Sequence, residues 1–250
     1  MTDPSNARLL GAYPAKQCPV RVQWDVIRPA EPGEPSEHTR LVLDRGNRFE
    51  RDVFERLSLS AGERDWRFAP QDLGGAALVE WTIAALDEGA EVVAGGQLSD
   101  DVVGRRTGRP DVLVRHGAEP LDDSWRYLPV DVKHHRTVGS SEDRKTPLPA
   151  ALVSLLENPF LHTSSEHGSG WALRRHEDDA IQLAHYRRML EACGREAPDN
   201  VGGIIGTEGF VAWHDLDAEM YQTPTADPDR KTKQRSAMER IDFEFGFRID

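Results

Sequence analysis

Two apolar, β-branched runs constrain this chain more than anything else in it. One is Asp111-Val-Leu-Val-Arg115, entered through Gly108-Arg109-Pro110, and the other is Tyr127-Leu-Pro-Val-Asp-Val-Lys133. A loop of about a dozen residues separates them. Side chains on a strand alternate between its two faces. Read as strands, the runs send Val130 and Val132 one way and Asp131 and Lys133 the other. Two carboxylates and an ammonium group then converge on an otherwise apolar sheet. Such charges are costly to bury unless they are paired or bound to a metal. A divalent-metal phosphodiesterase site is built in this way.

The stretch around this pair reads as an α/β chain. The first forty residues are Pro-rich and read as irregular, with a short ordered-looking piece at 18–24. The spacing predicts a helix over 38–59, where Phe49, Val53 and Leu57 recur every fourth residue and Gly62 stops the run. A second helix is expected from a cap at Asp72 to Asp87. Strands are expected from Glu91, over 102–115 and over 125–134, with the acidic turn Leu121-Asp-Asp-Ser124 before the last. Residues 135–177 lack regular pattern apart from an apolar island at 148–160, and read as an insert or lid. A strong helix follows at 178–193, then strands at 201–207 and 210–214. A charged helix is expected at 229–240, and the chain stops within an apolar-alternating segment. The expected organisation is an irregular segment at 1–37, a core at 38–215 and a helical and strand extension at 216–250. The expected fold is a mixed central sheet flanked by helices. The ending suggests a piece of a larger protein, with further domains or subunits.

The net charge is −12, which argues against a protein that coats nucleic acid through a basic face. It does not exclude a nuclease, because bound metal and local patches offset the mean field. Only five of the 31 cations are lysines, which makes a lysine inside an apolar strand notable. Two cysteines, Cys18 and Cys193, provide neither a disulfide framework nor a Cys-rich zinc site. The polar start has no apolar core of a signal peptide, and no run approaches a membrane span. A cytoplasmic protein without membrane contact is the expectation.

Phosphodiester hydrolysis needs an activated water and neutralisation of charge on the phosphate and leaving oxygen. Mg²⁺ or Mn²⁺ would take oxygen ligands from Asp111, Asp131 and the Val132 carbonyl. Lys133 would orient the water or stabilise an oxyanion. The Asp-x-Lys pattern alone is weak. It also occurs at Asp143/Lys145 and Asp229/Lys231, in polar settings that read as solvated surface. Its plain alternative at Asp131/Lys133 is an exposed ion pair on an edge strand. Glu50 lies on the apolar stripe of Val53, Phe54 and Leu57, which favours a metal ligand over a surface ion pair. Gln182 and Tyr186, four apart on a helix, suit a phosphate or base edge; the alternative is a buried Tyr bonded to its Gln neighbour.

Together these residues resemble the RecB-type nuclease branch of the PD-(D/E)XK superfamily. There a helical Gly-x-x-x-His or Glu element precedes an Asp strand, an Asp/Glu-x-Lys strand and a helix with Gln-x-x-x-Tyr. The matching positions are Gly46 to Glu50, Asp111, Asp131-Val-Lys133 and Gln182 to Tyr186. The likeness spans about residues 13–215 and extends to bacterial RecB-like putative nucleases. It implies a restriction-endonuclease-like fold and metal-dependent hydrolysis of DNA at ends or on single strands, in repair, recombination or defence. Catalysis would fall to Asp111, Asp131 and Lys133. Metal would be held by Glu50, Asp111, Asp131 and Val132, and substrate by Gln182, Tyr186 and Arg109. Glu50 stands where many relatives have His, and two cysteines cannot hold the iron–sulfur cluster of some relatives.

The alternatives are an inactive nuclease-fold module that binds nucleic acid or protein, and an enzyme acting on a small phosphoester. Arg105, Arg106 and Arg109 are a candidate phosphate patch, extended by Arg174, Arg175, Arg187 and Arg188. His135 shares the alternation of Asp131 and Lys133 and reads as an ordinary strand-end residue. His162, His167 and His176 lack zinc-ligand spacing with Cys.

Overall fold

A computed structural model of the chain describes residues 9–28, 33–140, 150–174, 176–225, 229 and 231–249. Asp143/Lys145, Leu148 and Arg175 lie outside the described residues. In chain order the elements begin with α1 (Ala12–Lys16), α2 (Pro19–Ile27), α3 (Glu37–Ala61), β1 (Trp66–Phe68) and α4 (Gly75–Asp87). Then come β2 (Val92–Ala94), β3 (Val112–Leu121), β4 (Ser124–Val132), β5 (Val138–Ser140), β6 (Leu152–Leu155), β7 (Ser165–Glu166) and β8 (Trp171–Leu173). The chain closes with α5 (Glu177–Ala192), β9 (Val201–Ile205), β10 (Phe210–Asp215), β11 (Tyr221–Pro224), β12 (Thr232–Arg235) and α6 (Ala237–Ile249).

The two apolar runs form the hairpin β3–β4. The expected loop contracts to a turn, because Asp122 and Asp123 adopt φ of 50° and 59° and Leu121 pairs with Ser124. Short polar residues that tolerate positive φ suit a two-residue hairpin turn, whose twist matches that of the strands. Val112 pairs with Val130, so the register sets Asp111 opposite Asp131. The central sheet has eight strands in the order β1-β2-β3-β4-β9-β10-β6-β7. It is mixed: β1 with β2 and β4 with β9 are parallel, and the remaining pairs are antiparallel.

Alternation along the strands builds two cores. Val112, Val114, Leu128 and Val130 pack in one cluster with Val53 and Leu57 of α3. Leu113 and Tyr127 pack with Tyr186, Met189 and Leu190 of α5 and with Ala85 and Leu86 of α4. Burying a leucine or valine side chain fully is worth roughly 1.5–3 kcal/mol. The sheet is therefore held between α3 on one face and α4 and α5 on the other. Helix α3 starts with the Ser36 side chain accepting from the Thr39 N–H and ends at Gly62 with φ of 57°. The Gly62 stop is read from the sequence; the Ser36 cap is not.

Several expectations are corrected. The described part of 1–37 carries α2 over the piece read as ordered at 18–24, and α1 where irregular chain was expected, with Leu10 and Ala15 in the core beside α5 and α6. No cap forms at Asp72: α4 begins after Gly74 without a side-chain cap. Residues 102–106 form a turn, closed by reciprocal backbone hydrogen bonds between Asp101 and Arg106, so β3 starts only at Val112. The 135–177 stretch holds β6 and β7, which extend the central sheet beyond β10, and the separate pair β5–β8. These strands are too short for periodicity to reveal. The segment expected as a charged helix instead supplies β12, paired with β11. The final helix starts after it through a reciprocal cap: Ser236 Oγ accepts from Glu239 N–H, and Glu239 Oε2 accepts from Ser236 N–H. Met238, Ile241 and Phe245 then share one buried stripe against α5.

Candidate active site

The end of the β3–β4 hairpin gathers the charges that alternation predicted. Asp131 is 1% exposed. Lys133 Nζ stands 2.5 Å from Asp131 Oδ2. Asp111 is half-buried as a residue, and its carboxylate is turned inward, with Oδ2 accepting from the Val132 N–H at 2.7 Å. The Val132 contact is thus made through its N–H. Loss of water, then the adjacent Asp131 carboxyl, push the Asp111 pKa well above the usual carboxylate range. Burial alone would lower Lys133; the Asp131 carboxylate outweighs it and raises the ammonium's pKa. Asp131 Oδ2 makes no hydrogen bond of proper geometry among the described residues, despite the close ammonium. The centre thus sets two apposed carboxyls beside one ammonium.

Glu50, on α3, lies within electrostatic range of this centre. It is half-buried, burial raises its pKa, and the charges of Arg109, Asp131 and Lys133 act on it. Helix α5 covers the centre from the other side. Gln182 is the hub: its Oε1 accepts from Lys133 Nζ at 3.1 Å and from Lys16 Nζ at 2.8 Å. Its Nε2 donates to Tyr186 Oη at 2.9 Å and reaches Asp131 Oδ1 at 3.4 Å. Two ammonium donors on one atom fix the orientation of the amide. Tyr186 Oη donates to the Arg109 carbonyl at 3.0 Å, tying α5 to the strand entry before Asp111. Gly108 makes this approach possible: a Cβ there would lie 2.9 Å from both Met189 Sδ and Tyr186 Cε1. A cleft of about 440 Å³ opens beside these groups, lined by Tyr13, Gln97, Arg109, Gln182 and Tyr186 among others. The more enclosed apolar cavity of about 270 Å³ lies elsewhere, beside Trp213 and Tyr221.

Asp111, Asp131, Lys133 and Gln182 are therefore brought together, with Glu50 within electrostatic reach and Tyr186 and Arg109 along the adjoining cleft. The wider arginine patch is not. Arg106 pairs with Asp101 and Asp242, Arg188 with Glu191 and Asp242, and Arg187 with Glu191. Arg174 is turned to the Val138 carbonyl. These guanidiniums serve the fold: Arg106 and Arg188 meet an acid from α6, Arg187 pairs within its own helix, and Arg174 binds a backbone carbonyl. Arg109 donates to the Gly95 carbonyl while lining the cleft.

Sequence reasoning missed two contributions. Lys16, on α1, enters the site against Gln182; burial, then Lys133, lower its pKa. Its scarcity as a lysine was the one available signal. The second is His135, His176 and Asp179, whose ligand atoms lie within 4.8 Å of one another. His162 and His167 stand apart from them, stacked on Phe160 and packed on Phe210 respectively. No protein-family model, no curated protein and no solved structure matches the chain. Among the described residues, no helix is long and apolar enough to cross a membrane.

Proposed function

We propose that this chain is a divalent-metal-dependent nuclease of restriction-endonuclease-like fold that hydrolyses phosphodiester bonds of DNA, at ends or on single strands. One observation carries the reading. Asp111 and Asp131 face each other on paired strands, with Lys133 and the Gln182 amide closing over them. A scaffold gains nothing from two apposed carboxylates at this depth, since burying them costs stability. The mixed sheet, with Asp at the head of one strand and Asp-Val-Lys at the tail of its partner, supports the fold assignment.

The residues fit a hard cation. Asp131 Oδ2 is buried and lacks a hydrogen bond among the described residues, and the available donors are carboxylate oxygens. Mg²⁺ or Mn²⁺ prefers such ligands, and Glu50, Asp111 and Asp131 would hold it. A bound ion supplies Lewis acidity and a water of lowered pKa. Lys133 keeps its charge at Nζ, beside the metal-binding carboxylate, where it orients the water or balances phosphate charge. Gln182, held by Lys133 and Lys16, fixes that ammonium's direction. Tyr186 and Arg109 line the cleft in which a nucleic-acid strand would lie.

A second reading, a nuclease-fold module that binds without cutting, draws on the net charge of −12 and on the ion-paired arginines. End-labelled single- and double-stranded DNA, incubated with Mg²⁺, Mn²⁺ or EDTA, separates the two. The nuclease reading expects metal-dependent cleavage that falls by about 10²–10³ in Lys133→Ala. Cleavage equal in Lys133→Ala and wild type would overturn the site assignment. Binding without cleavage in either metal favours the second reading, and hydrolysis of a small phosphodiester alone favours the small-substrate enzyme.

A further inference from the structure

Three ligand-type groups meet beside the carboxylate–lysine centre. His135 follows the end of β4, His176 is the N-cap of α5, and Asp179 lies in the helix's first turn. Asp179 is buried and both histidines are half-buried. His135 Nε2 is 2.9 Å from Asp179 Oδ2. The two imidazoles stack with centroids 4.0 Å apart and planes inclined by 35°.

The hydrogen bonds at the far side of the rings matter most. The Arg136 carbonyl lies 3.3 Å from His135 Nδ1 and 3.2 Å from His176 Nε2. A carbonyl can only accept, so it is satisfied by the tautomers that turn His135 Nδ1–H and His176 Nε2–H towards it. A neutral His135 then presents its Nε2 lone pair to the Asp179 carboxylate, and the two acceptors repel. A cation between them removes the conflict. Metal-binding histidines usually donate the other ring N–H to a carbonyl or carboxylate, which fixes the tautomer. Here one carbonyl does this for both rings. The 2.9 Å between His135 Nε2 and Asp179 Oδ2 is a separation that two ligands about 2.0–2.2 Å from one ion can adopt.

We propose that His135, His176 and Asp179 bind one transition-metal ion of the zinc class, separate from the oxygen-ligand centre. Imidazole nitrogen with a carboxylate suits Zn²⁺ and its neighbours better than Mg²⁺. The ion would pin the first turn of α5 to the end of β4. Gln182 lies one turn further along α5, so occupancy of this site stiffens the hub that holds Lys133. The proposal stands on its own geometry and does not depend on the nuclease reading. The competing account is a plain His135–Asp179 contact, with Nε2–H donating to the carboxylate from a neutral or a protonated ring.

The test uses the full chain, stripped with EDTA and titrated with Co²⁺ while visible d–d absorbance is followed, then with Zn²⁺ in competition. One equivalent should bind with imidazole–carboxylate absorbance, survive excess Mg²⁺ and persist in Asp131→Asn. His176→Ala and His135→Gln should each weaken it at least tenfold. Zn²⁺ should raise the melting temperature of the wild type and leave that of His176→Ala unchanged. The metal-free melts of the variants verify their folding, and either variant suffices if the other fails to fold. Equal Co²⁺ binding by wild type and the His variants would overturn the proposal. So would absence of binding, or binding lost in Asp131→Asn and kept in His176→Ala. DNA cleavage in Mg²⁺ alone is read separately, so failure of one reading leaves the other visible.

Discussion

Replacing Asp111 by Asn should stabilise the metal-free chain and cost it the stabilisation that metal brings. The two carboxyls meet across β3 and β4, and the Asp131 carboxyl helps to raise the Asp111 pKa. Two unit charges about 4 Å apart repel by about 4 kcal/mol at an effective dielectric near 20. Lys133 offsets part of this. Asp111 relieves more by holding its proton, since burial and then Asp131 raise its pKa well above the usual 3.8. Asn keeps an oxygen for the Val132 N–H, now 2.7 Å from Oδ2, and adds a donor for Asp131. The remaining gain is on the order of 1–3 kcal/mol, each worth about 2–4 °C in melting temperature for a chain of this size.

The sign with pH follows from the raised value. The folded state holds a proton at Asp111 that the unfolded chain releases near 3.8. Its favourable contribution is full below that pH and is lost as pH rises through the folded value. The advantage of Asn therefore grows with pH. Metal reverses the order, because an ion at about 100 times its Kd adds about 2.7 kcal/mol to the wild type. The variant, short of a charged ligand, gains little. Thermal melts in EDTA and in Mn²⁺, at about pH 5 and about pH 8, read both effects. A variant that melts below wild type in EDTA, or gains as much from Mn²⁺, refutes the reasoning.

Three further outcomes are expected. Gly108→Ala places a methyl 2.9 Å from Tyr186 Cε1, and the ring is anchored at its hydroxyl, so melting should reveal a loss of about 1–3 kcal/mol; an unchanged melt contradicts the close approach. Lys16→Ala removes one of two ammonium donors to Gln182, so DNA cleavage should weaken roughly tenfold while the fold persists; cleavage at the wild-type rate would separate α1 from the site. His185 is held by burial at about 4 against an ordinary 6.5, with Nε2–H donating to the Thr107 carbonyl at 2.9 Å. The unfolded chain takes up this proton first, so as pH falls from about 6.5 to about 4 folding loses up to roughly 3 kcal/mol at this residue. The stability of His185→Gln should fall less steeply over that window in denaturant titrations, and parallel slopes would refute it.

Much of the centre was legible in the sequence because it is local. Alternation alone sends Asp131 and Lys133 to one face, and four-residue spacing stacks Gln182 on Tyr186; the hydrogen bonds agree. Gly62 and Gly194 mark helix ends by their own chemistry, with φ of 57° at Gly62 and 67° at Gly194. The short strands β5 to β8 were invisible because two to four residues carry too little period to register. The 232–235 strand was read as helix because charge pattern does not distinguish an edge hairpin from an exposed helix face.

By itself the sequence determined which faces are apolar, close to where α3 and α5 start and stop, and which side chains are candidates for a site. Those properties follow from each residue's neighbours along the chain. Only the tertiary structure decided which charges meet. It turned Arg106 and Arg188 towards Asp242, delivered Lys16 to Gln182, and stacked His135 on His176 beside Asp179. Those partners are separated by tens to more than a hundred residues, and they meet because the packing of α1, α5 and α6 on the sheet brings them together. Local periodicity contains no information about that distance.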